Sequence, residues 1–405
     1  MTRCCLVFFL VCQFVFPSWV GALNEWTILV HMSSDDTTQL VEDINRFSLA
    51  AMKTISLPPG CEMVVLEDCS KPDTLHRLLG KVMKSQGQPS GGATMYCLGG
   101  RTMTVEQTLG EVNMGSPAVL WNFLVAATRK HPARRYALIF NGHGSGIFSF
   151  AGSGDVRSPD PGTVDFNPDR FVAYDATDRD CLTVFELGAV LRAFRDRLNQ
   201  GRKLEVMAFD ACLPGSIEAL CQLHDVCEVF VGSADSIPVL GFPYVGFMAR
   251  INRHLPANGE EFAAALRAVI MRKLGYWRTK QVPELVSGFD RLSVAILQSL
   301  EGETPVKLAL GSFLTAKELY QDIRPLLKRL AREPVPGPGG AAIRQLAADT
   351  SDSLQRCWAL PGGNPAKLSI TAPPARAWKN LRKFYSHLAF AKATHWDEIL
   401  DRLNP

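Results

Sequence analysis

The sequence has no block of like charge and is nearly neutral overall. It contains 43 Lys and Arg against 40 Asp and Glu in 405 residues, a formal net charge of +3. So small a charge argues against a nucleic-acid or membrane-surface partner, because both attract basic patches. An internal repeat with the period of a solenoid or propeller is also missing. With 47% hydrophobic residues, the chain can bury a large core, in one enlarged domain or in two or three packing units.

The cysteines lack the spacing of a zinc site or of a dense disulfide framework. Eleven are present, and no two have the C-x-x-C spacing that structural zinc sites favour. Cys61 and Cys69 are the best candidates for a local disulfide. The cysteine pattern by itself fits either redox compartment.

One stretch, at the N-terminus, is long and apolar enough to suggest contact with a bilayer. Arg3 supplies one positive charge, Cys4–Val20 is almost wholly apolar, and Val20–Ala22 resembles a small-residue cleavage site. We predict that residues 1–22 are a secretory signal peptide, and the alternative is an uncleaved signal-anchor that would tether the protein to a membrane. A mitochondrial presequence is a weaker alternative, because the segment lacks the several Arg and Ser residues expected. The predicted location is therefore the secretory pathway, either secreted or lumenal.

Strand-like and helix-like segments alternate along residues 23–255. The strand candidates are Trp26–Met32, Met63–Leu66, Met95–Leu98, Tyr136–Phe140, Phe171–Tyr174, Leu204–Phe209 and Val229–Gly232. Helices long enough to be crossovers separate several of them, which predicts an α/β fold with a mainly parallel sheet covered on both faces.

Residues 256–405 are predicted to form a mainly helical region packed on this core. The segments assigned there are helices over Phe262–Leu274 and Lys307–Leu330, a late strand at Leu368–Ile370, and a last helix over Asp397–Leu403.

Several helix starts are marked by capping residues. Ser116 precedes a first-turn proline, and Thr183 with Glu186 has the spacing of a capping box. The Ser33–Asp36 segment offers N-cap side chains for a helix that runs through Leu40.

Two apolar strands end in loops with reactive side chains. Tyr136–Phe140 leads into Asn141–Gly146, which contains His143, and Leu204–Phe209 leads into Asp210–Gly215, which contains Cys212. Open α/β sheets place their chemistry at the carboxyl ends of strands. An imidazole and a thiol together are sufficient for nucleophilic catalysis.

His143 lies in a glycine-rich turn, where a histidine taken alone is more often an ordinary loop residue. The neighbouring glycines change that interpretation, because the Gly144 N–H can approach a substrate oxygen with no Cβ in the way. We expect the backbone N–H groups of Gly144 and Cys212 to form an oxyanion hole.

Cys212 differs from the cysteines that we assign to the core, which are Cys97, Cys221 and Cys227. It follows the end of a buried strand, and we expect it at a helix N-terminus, where the dipole and a nearby imidazole favour the thiolate. Asp210 has two interpretations of similar weight: a structural cap, or a carboxylate facing a substrate pocket, where it would select Arg or Lys through a charge-assisted pair.

These segments resemble the cysteine peptidases of clan CD, and within that clan the clostripain-like C11 family. Phe209–Leu213 is similar to the family's nucleophile motif, and Leu109–Gly115 to its stretch upstream of the histidine strand. Trp26–Met32 and Lys367–Ile370 resemble its opening strand and a late strand. The resemblance covers nearly everything after residue 22.

The resemblance implies a caspase-like αβα sandwich and an endopeptidase with a His143/Cys212 dyad that cleaves after Arg or Lys. It places Asp210 in the S1 pocket, with Asp235 as a second and weaker candidate. Substrates would be proteins or peptides with a basic P1 residue, the chemistry would need no cofactor, and we expect a monomer.

The resemblance also implies self-cleavage of a zymogen in the loop after the histidine. Arg157 and Ser158 lie in a Gly/Pro-rich span there, and we predict cleavage between them, with Arg170 and Arg179 as competing sites.

Some relatives depend on calcium. Asp175, Asp178 and Asp180 are candidate ligands for calcium, although a solvated acidic turn is the favoured interpretation of these three residues.

The sequence departs from the family pattern at two points. Asn141-Gly142 replaces an aromatic-acidic pair, and Pro214 replaces a methionine. Two other functions stay open: a legumain-like Asn-specific peptidase or transamidase, against which Asp210 argues, and a catalytically silent pseudopeptidase scaffold.

Overall fold

The computed structural model of the protein describes residues 23–35, 40–69, 92–147, 149–150, 166–167, 171–270, 274–301, 304–314, 319–360 and 365–404. Its strands are β1 Asn24–Ser33, β2 Cys61–Cys69, β3 Gly92–Gly99, β4 Thr102–Gly110, β5 Ala133–Asn141, β6 Ser149–Phe150, β7 Phe166–Asn167, β8 Val172–Asp175, β9 Asp180–Leu182, β10 Leu204–Asp210, β11 Cys227–Ser233, β12 Leu274–Arg278, β13 Tyr320–Asp322 and β14 Ser369–Thr371. Its helices are α1 Leu40–Met52, α2 Pro117–Lys130, α3 Val184–Arg197, α4 Ile217–Leu223, α5 Tyr244–Arg253, α6 Gly259–Val269, α7 Val282–Leu300, α8 Thr304–Leu314, α9 Ile323–Arg332, α10 Gly340–Cys357, α11 Ala375–Tyr385, α12 Ala389–Ala393 and α13 Trp396–Leu403.

Eight strands form one mixed sheet in the order β12-β11-β10-β5-β1-β2-β3-β4. The central strands β2, β1, β5, β10 and β11 are parallel to one another, and the pairs β2–β3, β3–β4 and β11–β12 are antiparallel. The predicted mainly parallel sheet is thus confirmed.

Helices cover both faces of this sheet. On β1, Trp26 stacks on Phe262 of α6 with ring centroids 5.0 Å apart, whereas His31 meets the edge of Phe123 of α2 at 6.3 Å. Residues an odd number apart on a strand point to opposite faces, so α6 and α2 lie on opposite sides. The predicted αβα layering is confirmed.

The order of the strands creates a switch point at the centre of the sheet. From β1 the chain adds β2, β3 and β4 on one side, and from β5 it adds β10, β11 and β12 on the other. Ligands of open α/β sheets bind beyond the carboxyl ends of strands at such a point. Buried aromatic rings pack across the strands β5, β10 and β11 beside the switch point. Phe140 stacks on Phe209 with ring centroids 5.6 Å apart, and Phe209 contacts Phe230 at 5.2 Å.

The C-terminal helices are present, but two of the assignments there were wrong. The helix predicted over Phe262–Leu274 ends at Val269, and β12 follows it at the edge of the main sheet. Packing explains the strand, because Trp277 of β12 lies against Trp358, with ring centroids 5.4 Å apart. Likewise, β13 divides the helix predicted over Lys307–Leu330 and pairs with β14.

The predicted Cys61–Cys69 disulfide is wrong. Both cysteines are unbridged, and they stand at the two ends of β2. At about 3.3 Å per residue their Cα atoms are roughly 26 Å apart, far beyond the reach of a disulfide.

The predicted signal segment, residues 1–22, lies outside the described residues. In the part of the chain that the structure describes, no helix combines the length and the apolar character needed to cross a membrane.

Candidate active site

Strands β5 and β10 bring the histidine and cysteine loops to the same rim of the sheet. The strands are adjacent and parallel, Asn141 is in register with Asp210, and the Gly142 N–H donates to the Asp210 carbonyl at 3.3 Å. His143 and Cys212 each follow two residues beyond this pair. The two reactive side chains therefore leave neighbouring strand ends.

Gly144 is the point of closest approach between the two loops. A Cβ added there would collide with the Cys212 carbonyl oxygen and lie 2.9 Å from Ala211 Cβ. Gly142, at φ +140°, is similarly close to Ser33 O, 3.0 Å from the position of an added Cβ. The glycines around His143 are thus required for the backbones to pack this closely.

The histidine loop is also attached to β8. Gly144 pairs with Val172 in an antiparallel bridge, and the Ser145 N–H donates to Phe171 O at 3.2 Å. This hydrogen bond uses the N–H of Ser145 and not that of Gly144.

The cysteine loop is held by the segment that follows β11. The Leu213 N–H donates to Asp235 O at 3.3 Å, and the Gly215 N–H donates to Ser233 O at 2.8 Å. Leu213 adopts φ +69°, a conformation that costs a residue with a side chain about 1–3 kcal/mol. Such strain beside a reactive group is typical of a functional turn.

Cys212 is half-buried, and the Ile237 N–H donates to its Sγ at 3.3 Å. Cys212 is thus partly exposed, whereas Cys97, Cys221 and Cys227 are buried, as predicted for core residues. The expected place at a helix N-terminus is wrong, because α4 begins only at Ile217, with Ser216 as its N-cap.

Asp210 is buried at 2% exposure and is bonded through one oxygen. Its Oδ2 accepts from Asn141 Nδ2 at 2.7 Å, from the Phe242 N–H at 2.9 Å and from the Tyr244 hydroxyl at 3.1 Å. Its Oδ1 has no hydrogen-bond partner among the described residues. Burial outweighs the three donors and raises the pKa of Asp210 to about 6.

This arrangement combines the two interpretations of Asp210. One oxygen holds the turn ahead of α5, and the other is uncommitted within the described residues. It also gives Asn141, one of the departures from the family pattern, a definite role as a donor to Asp210.

Asp235, the second pocket candidate, is paired within the chain. Its Oδ1 lies 2.6 Å from Lys367 Nζ, and both side chains are partly exposed. Lys367 precedes β14, and the Ser369 N–H of β14 donates to Gly215 O at 3.0 Å. The C-terminal region therefore contacts the cysteine loop directly.

Of the three predicted calcium ligands, only Asp175 lies in a cluster of carboxylates. Its companions are Asp35, Asp68 and Glu111, and the four side chains offer oxygens that all lie within 4.8 Å of one another. Asp178 is exposed and contacts Asp175 through its backbone N–H, and Asp180 is exposed and accepts from Asn113 Nδ2 at 2.7 Å.

The other three acids of this cluster are not among the predicted calcium ligands. Asp35 was assigned to a helix cap, and Glu111 only to a family motif. Asp35 and Asp68 each lie close to the end of a predicted strand, which was an available signal, whereas Glu111 follows β4, a strand that was not predicted.

The predicted self-cleavage site, Arg157–Ser158, lies outside the described residues, as does Arg170. Arg179 is exposed in the turn between β8 and β9, at φ +57°.

Comparison with known proteins gives matches to one family. Residues 99–282 match the model of the clostripain family. A stretch of 158 residues is 27% identical to clostripain from Hathewaya histolytica, covering 37% of this chain and only 27% of that relative.

Two solved structures share the fold over most of the chain. A secreted C11 cysteine protease from Bacteroides thetaiotaomicron, in complex with an irreversible peptide inhibitor, has a TM-score of 0.60 and 14% identity, covering 92% of this chain and 99% of that one. An inactive zymogen C11 protease from Parabacteroides distasonis has a TM-score of 0.62 and 15% identity, covering 93% and 99%.

At these identities the solved structures establish the fold alone. The matched segment contains both rim loops, with His143 and Cys212. Through this segment, somewhat less than half of its length, the chain is similar to the clostripain (C11) family of cysteine peptidases.

Proposed function

We propose that the protein is a cysteine endopeptidase that cleaves after Arg or Lys through His143 and Cys212. The observation on which the proposal depends is the packing of Gly144 against the backbone of Cys212. This contact places the residues that follow two neighbouring strands side by side at the switch point of the sheet.

The chemistry follows from the groups at this rim. His143 accepts the thiol proton of Cys212, and the sulfur attacks the scissile carbonyl carbon. The N–H groups of Gly144 and Cys212 stabilise the negative oxygen of the tetrahedral intermediate. His143 then protonates the leaving amine as the C–N bond breaks, which leaves a thioester. Water, activated by the same imidazole, hydrolyses it and restores the thiol.

Asp210 supports a preference for a cationic P1 side chain. A buried carboxylate with one uncommitted oxygen is stabilised by a guanidinium or ammonium group, and a neutral amide gives much less compensation. Asp235 is already paired with Lys367, so it is the weaker candidate for this role.

We further propose that the chain enters the secretory pathway through residues 1–22 and matures by cleavage after Arg157. The basic residue matches the proposed P1 preference, and a relative of this fold has been solved as an inactive zymogen. Intact mass spectrometry of the purified protein and of a Cys212→Ala variant tests this step. Only the parent should yield fragments that end at Arg157.

Fluorogenic peptides that differ only in an Arg, Lys, Asn or Asp P1 residue test the activity. We expect Arg and Lys peptides to be cleaved and Cys212→Ala to lose at least about a thousandfold in kcat/KM. Cys221→Ala, a change of a core cysteine, is the matched control and should keep the activity. Preferred cleavage after Asn would establish a legumain-like specificity, and no cleavage of any peptide would favour a pseudopeptidase.

A further inference from the structure

Four polar side chains of different chemistry meet beneath the end of α2, at the rim of the sheet opposite the candidate active site. Glu62, Cys97 and Glu106 belong to the neighbouring strands β2, β3 and β4, and His131 directly follows α2. Cys97 pairs with the residue two positions beyond Glu62 in β2 and with the residue two positions before Glu106 in β4. Because alternate residues of a strand point to the same face, the three strand side chains share one face of the sheet.

The His131 ring faces a thiol and a carboxylate through the same nitrogen. Its Nδ1 lies 3.7 Å from Cys97 Sγ and 2.8 Å from Glu62 Oε2, and the three ligand atoms all lie within 4.8 Å of one another. Cys97 and His131 are buried, whereas the Glu62 side chain is 30% exposed. A sulfur, an imidazole nitrogen and a carboxylate oxygen together form a donor set typical of zinc, whereas calcium and magnesium prefer oxygen alone.

We propose that Cys97, His131 and Glu62 bind Zn²⁺ through Sγ, Nδ1 and a carboxylate oxygen. In a tetrahedral site with Zn–S of about 2.3 Å and Zn–N of about 2.0–2.1 Å, the sulfur and the nitrogen are about 3.5 Å apart. The observed separation of 3.7 Å fits this geometry. The Glu62 oxygen has to move from 2.8 Å to about 3.4 Å from Nδ1, which its partly exposed side chain allows. The described residues supply three ligands, so water completes the tetrahedron.

Two of the proposed ligands are already oriented by neighbouring side chains. Glu106 Oε2 lies 3.0 Å from His131 Nε2, and its other oxygen lies 2.8 Å from Lys130 Nζ. A carboxylate on the far nitrogen of a histidine fixes the orientation of the ring and directs the near nitrogen to the metal. Asn24 Nδ2 donates to Glu62 Oε2 at 2.6 Å and so holds the carboxylate ligand. The second set of contacts that zinc sites require is thus present.

The charges of the cluster balance with and without the metal. In the metal-free protein the His131 imidazolium lies between the two glutamates, and Lys130 compensates the second of them. Zinc binds the neutral ring and the thiolate, so its binding releases the proton on Nδ1 and the thiol proton to solvent. The two positive charges of the ion then compensate the thiolate and Glu62.

The bound ion connects the end of α2 to β2 and β3, which stabilises the outer part of the sheet. Spacing along the chain gives no sign of this site, because its three ligands come from separate segments. The inference goes beyond the proposed peptidase function and does not depend on it.

Titration with ZnCl₂ tests the site in the full chain with Cys212→Ala, freed of metal with chelator and kept reduced without thiols. This background removes the candidate nucleophile, which could itself bind the metal. We expect one Zn²⁺ to bind in calorimetry and CaCl₂ not to compete for it. Co²⁺ in place of Zn²⁺ should give the charge-transfer absorption of a thiolate–cobalt bond, which reports directly on Cys97.

Cys97→Ser and His131→Gln should each weaken Zn²⁺ binding by at least about a hundredfold and abolish the cobalt band, because each removes a ligand. Glu106→Gln should weaken binding about ten- to a hundredfold and keep the band, because it disturbs only the orientation of the ring. Cys221→Ala and His254→Gln are the matched controls. They change a buried cysteine and an exposed histidine outside the cluster and should bind Zn²⁺ like the parent.

Thermal unfolding gives a second readout. ZnCl₂ should raise the Tm of the parent and of both controls, and it should leave the Tm of Cys97→Ser unchanged. The proposal is overturned if the parent binds no Zn²⁺, if its cobalt complex lacks the thiolate band, or if Cys97→Ser and His131→Gln bind as the parent does. Should Cys97→Ser fail to fold, the cobalt spectrum of the parent and the affinity of Glu106→Gln decide. If Zn²⁺ binds but no peptide is cleaved by the chain that retains Cys212, the proposed function fails and the site stands.

Discussion

Two buried aspartates on the same rim of the sheet differ in how their charge is compensated. Asp210, at the end of β10, receives three hydrogen bonds on Oδ2. Asp68, near the end of β2, receives none from the described residues and lies among three other acids. Burial raises the pKa of both, to about 6 for Asp210 and to about 9 for Asp68.

The difference separates two environments for a buried carboxylate on one rim. The donors around Asp210 hold one of its oxygens and leave the other for the cationic P1 side chain that we propose. The described residues offer Asp68 no donor, so burial and the neighbouring carboxylates raise its pKa further than that of Asp210. Gly144 connects the two sites, because it contacts Cys212 and pairs with β8, the strand that ends in Asp175.

The largest expected loss of activity comes from a substitution of Gly144. Gly144→Ala would place a Cβ against Cys212 O, so one of the loops must shift. We expect kcat/KM to fall by about a hundredfold or more, as measured with an Arg peptide. Gly246→Ala is the control, because an added Cβ there makes an ordinary 3.5 Å contact with Val269. Equal activity of Gly144→Ala and the parent would show that the close packing of Gly144 against Cys212 is not needed for catalysis.

Asp210→Asn tests the substrate side of the comparison. The amide oxygen can still accept from the three donors, but the charge is lost. We expect kcat/KM for Arg peptides to fall by about ten- to a hundredfold, because a charge-assisted hydrogen bond contributes about 1.5–3 kcal/mol. Asp68→Asn, which changes the other buried aspartate, should keep the preference for Arg peptides. If both variants lose that preference equally, the two aspartates do not have separate roles.

A third cluster, formed by His131, Glu62 and Glu106, differs from these two sites because one of its own side chains can carry a positive charge. His131 Nδ1 lies 2.8 Å from Glu62 Oε2, and Nε2 lies 3.0 Å from Glu106 Oε2. Burial alone would lower the pKa of His131, but contacts with Cys97 and both glutamates raise it to about 10.

The stabilisation by this imidazolium should be complete below about pH 6.5 and lost as the pH rises toward 10, because the folded-state pKa is the higher one. Between pH 7 and 10 the free energy of unfolding of the parent should fall by roughly 3 to 4 kcal/mol more than that of His131→Gln. Urea unfolding of both proteins in a Cys212→Ala background measures this difference. Parallel pH profiles would contradict the assignment.

The smallest expected effect is the pH dependence of P1 selectivity. Because the pKa of Asp210 is about 6, its carboxyl group is mostly neutral at pH 5 and mostly ionised at pH 7. The ratio of kcat/KM for an Arg peptide to that for the matching citrulline peptide should rise about tenfold over this interval. Titration of His143 and Cys212 cancels in the ratio. A ratio that is flat in the parent, or equally steep in Asp210→Asn, would contradict the role of Asp210.

The sequence was sufficient to predict the sheet and the two rim loops, for a physical reason. Parallel strands buried on both faces are continuous apolar runs, as in Tyr136–Phe140 and Leu204–Phe209, so the residues that end them are easily located. By contrast, β4 was missed because its side chains are mostly exposed and polar, and β12 because it has only five residues and begins soon after a helix that ends at Val269.

The carboxylate cluster could not be predicted in the same way. Asp35, Asp68, Glu111 and Asp175 are far apart in the chain and each resembles an ordinary cap or turn residue. Only the strand order, with β2 beside β1 and the β8–β9 hairpin folded back toward them, brings the four together.

The most direct test of the central claim is covalent labelling of the nucleophile. A peptidyl-arginine chloromethyl ketone should form one adduct, located by peptide mass spectrometry on Cys212, and Cys212→Ala should form none. His143→Ala should react at least about tenfold more slowly, because the imidazole favours the thiolate. A label on another cysteine, or an unchanged rate in His143→Ala, would show that these two residues do not act together.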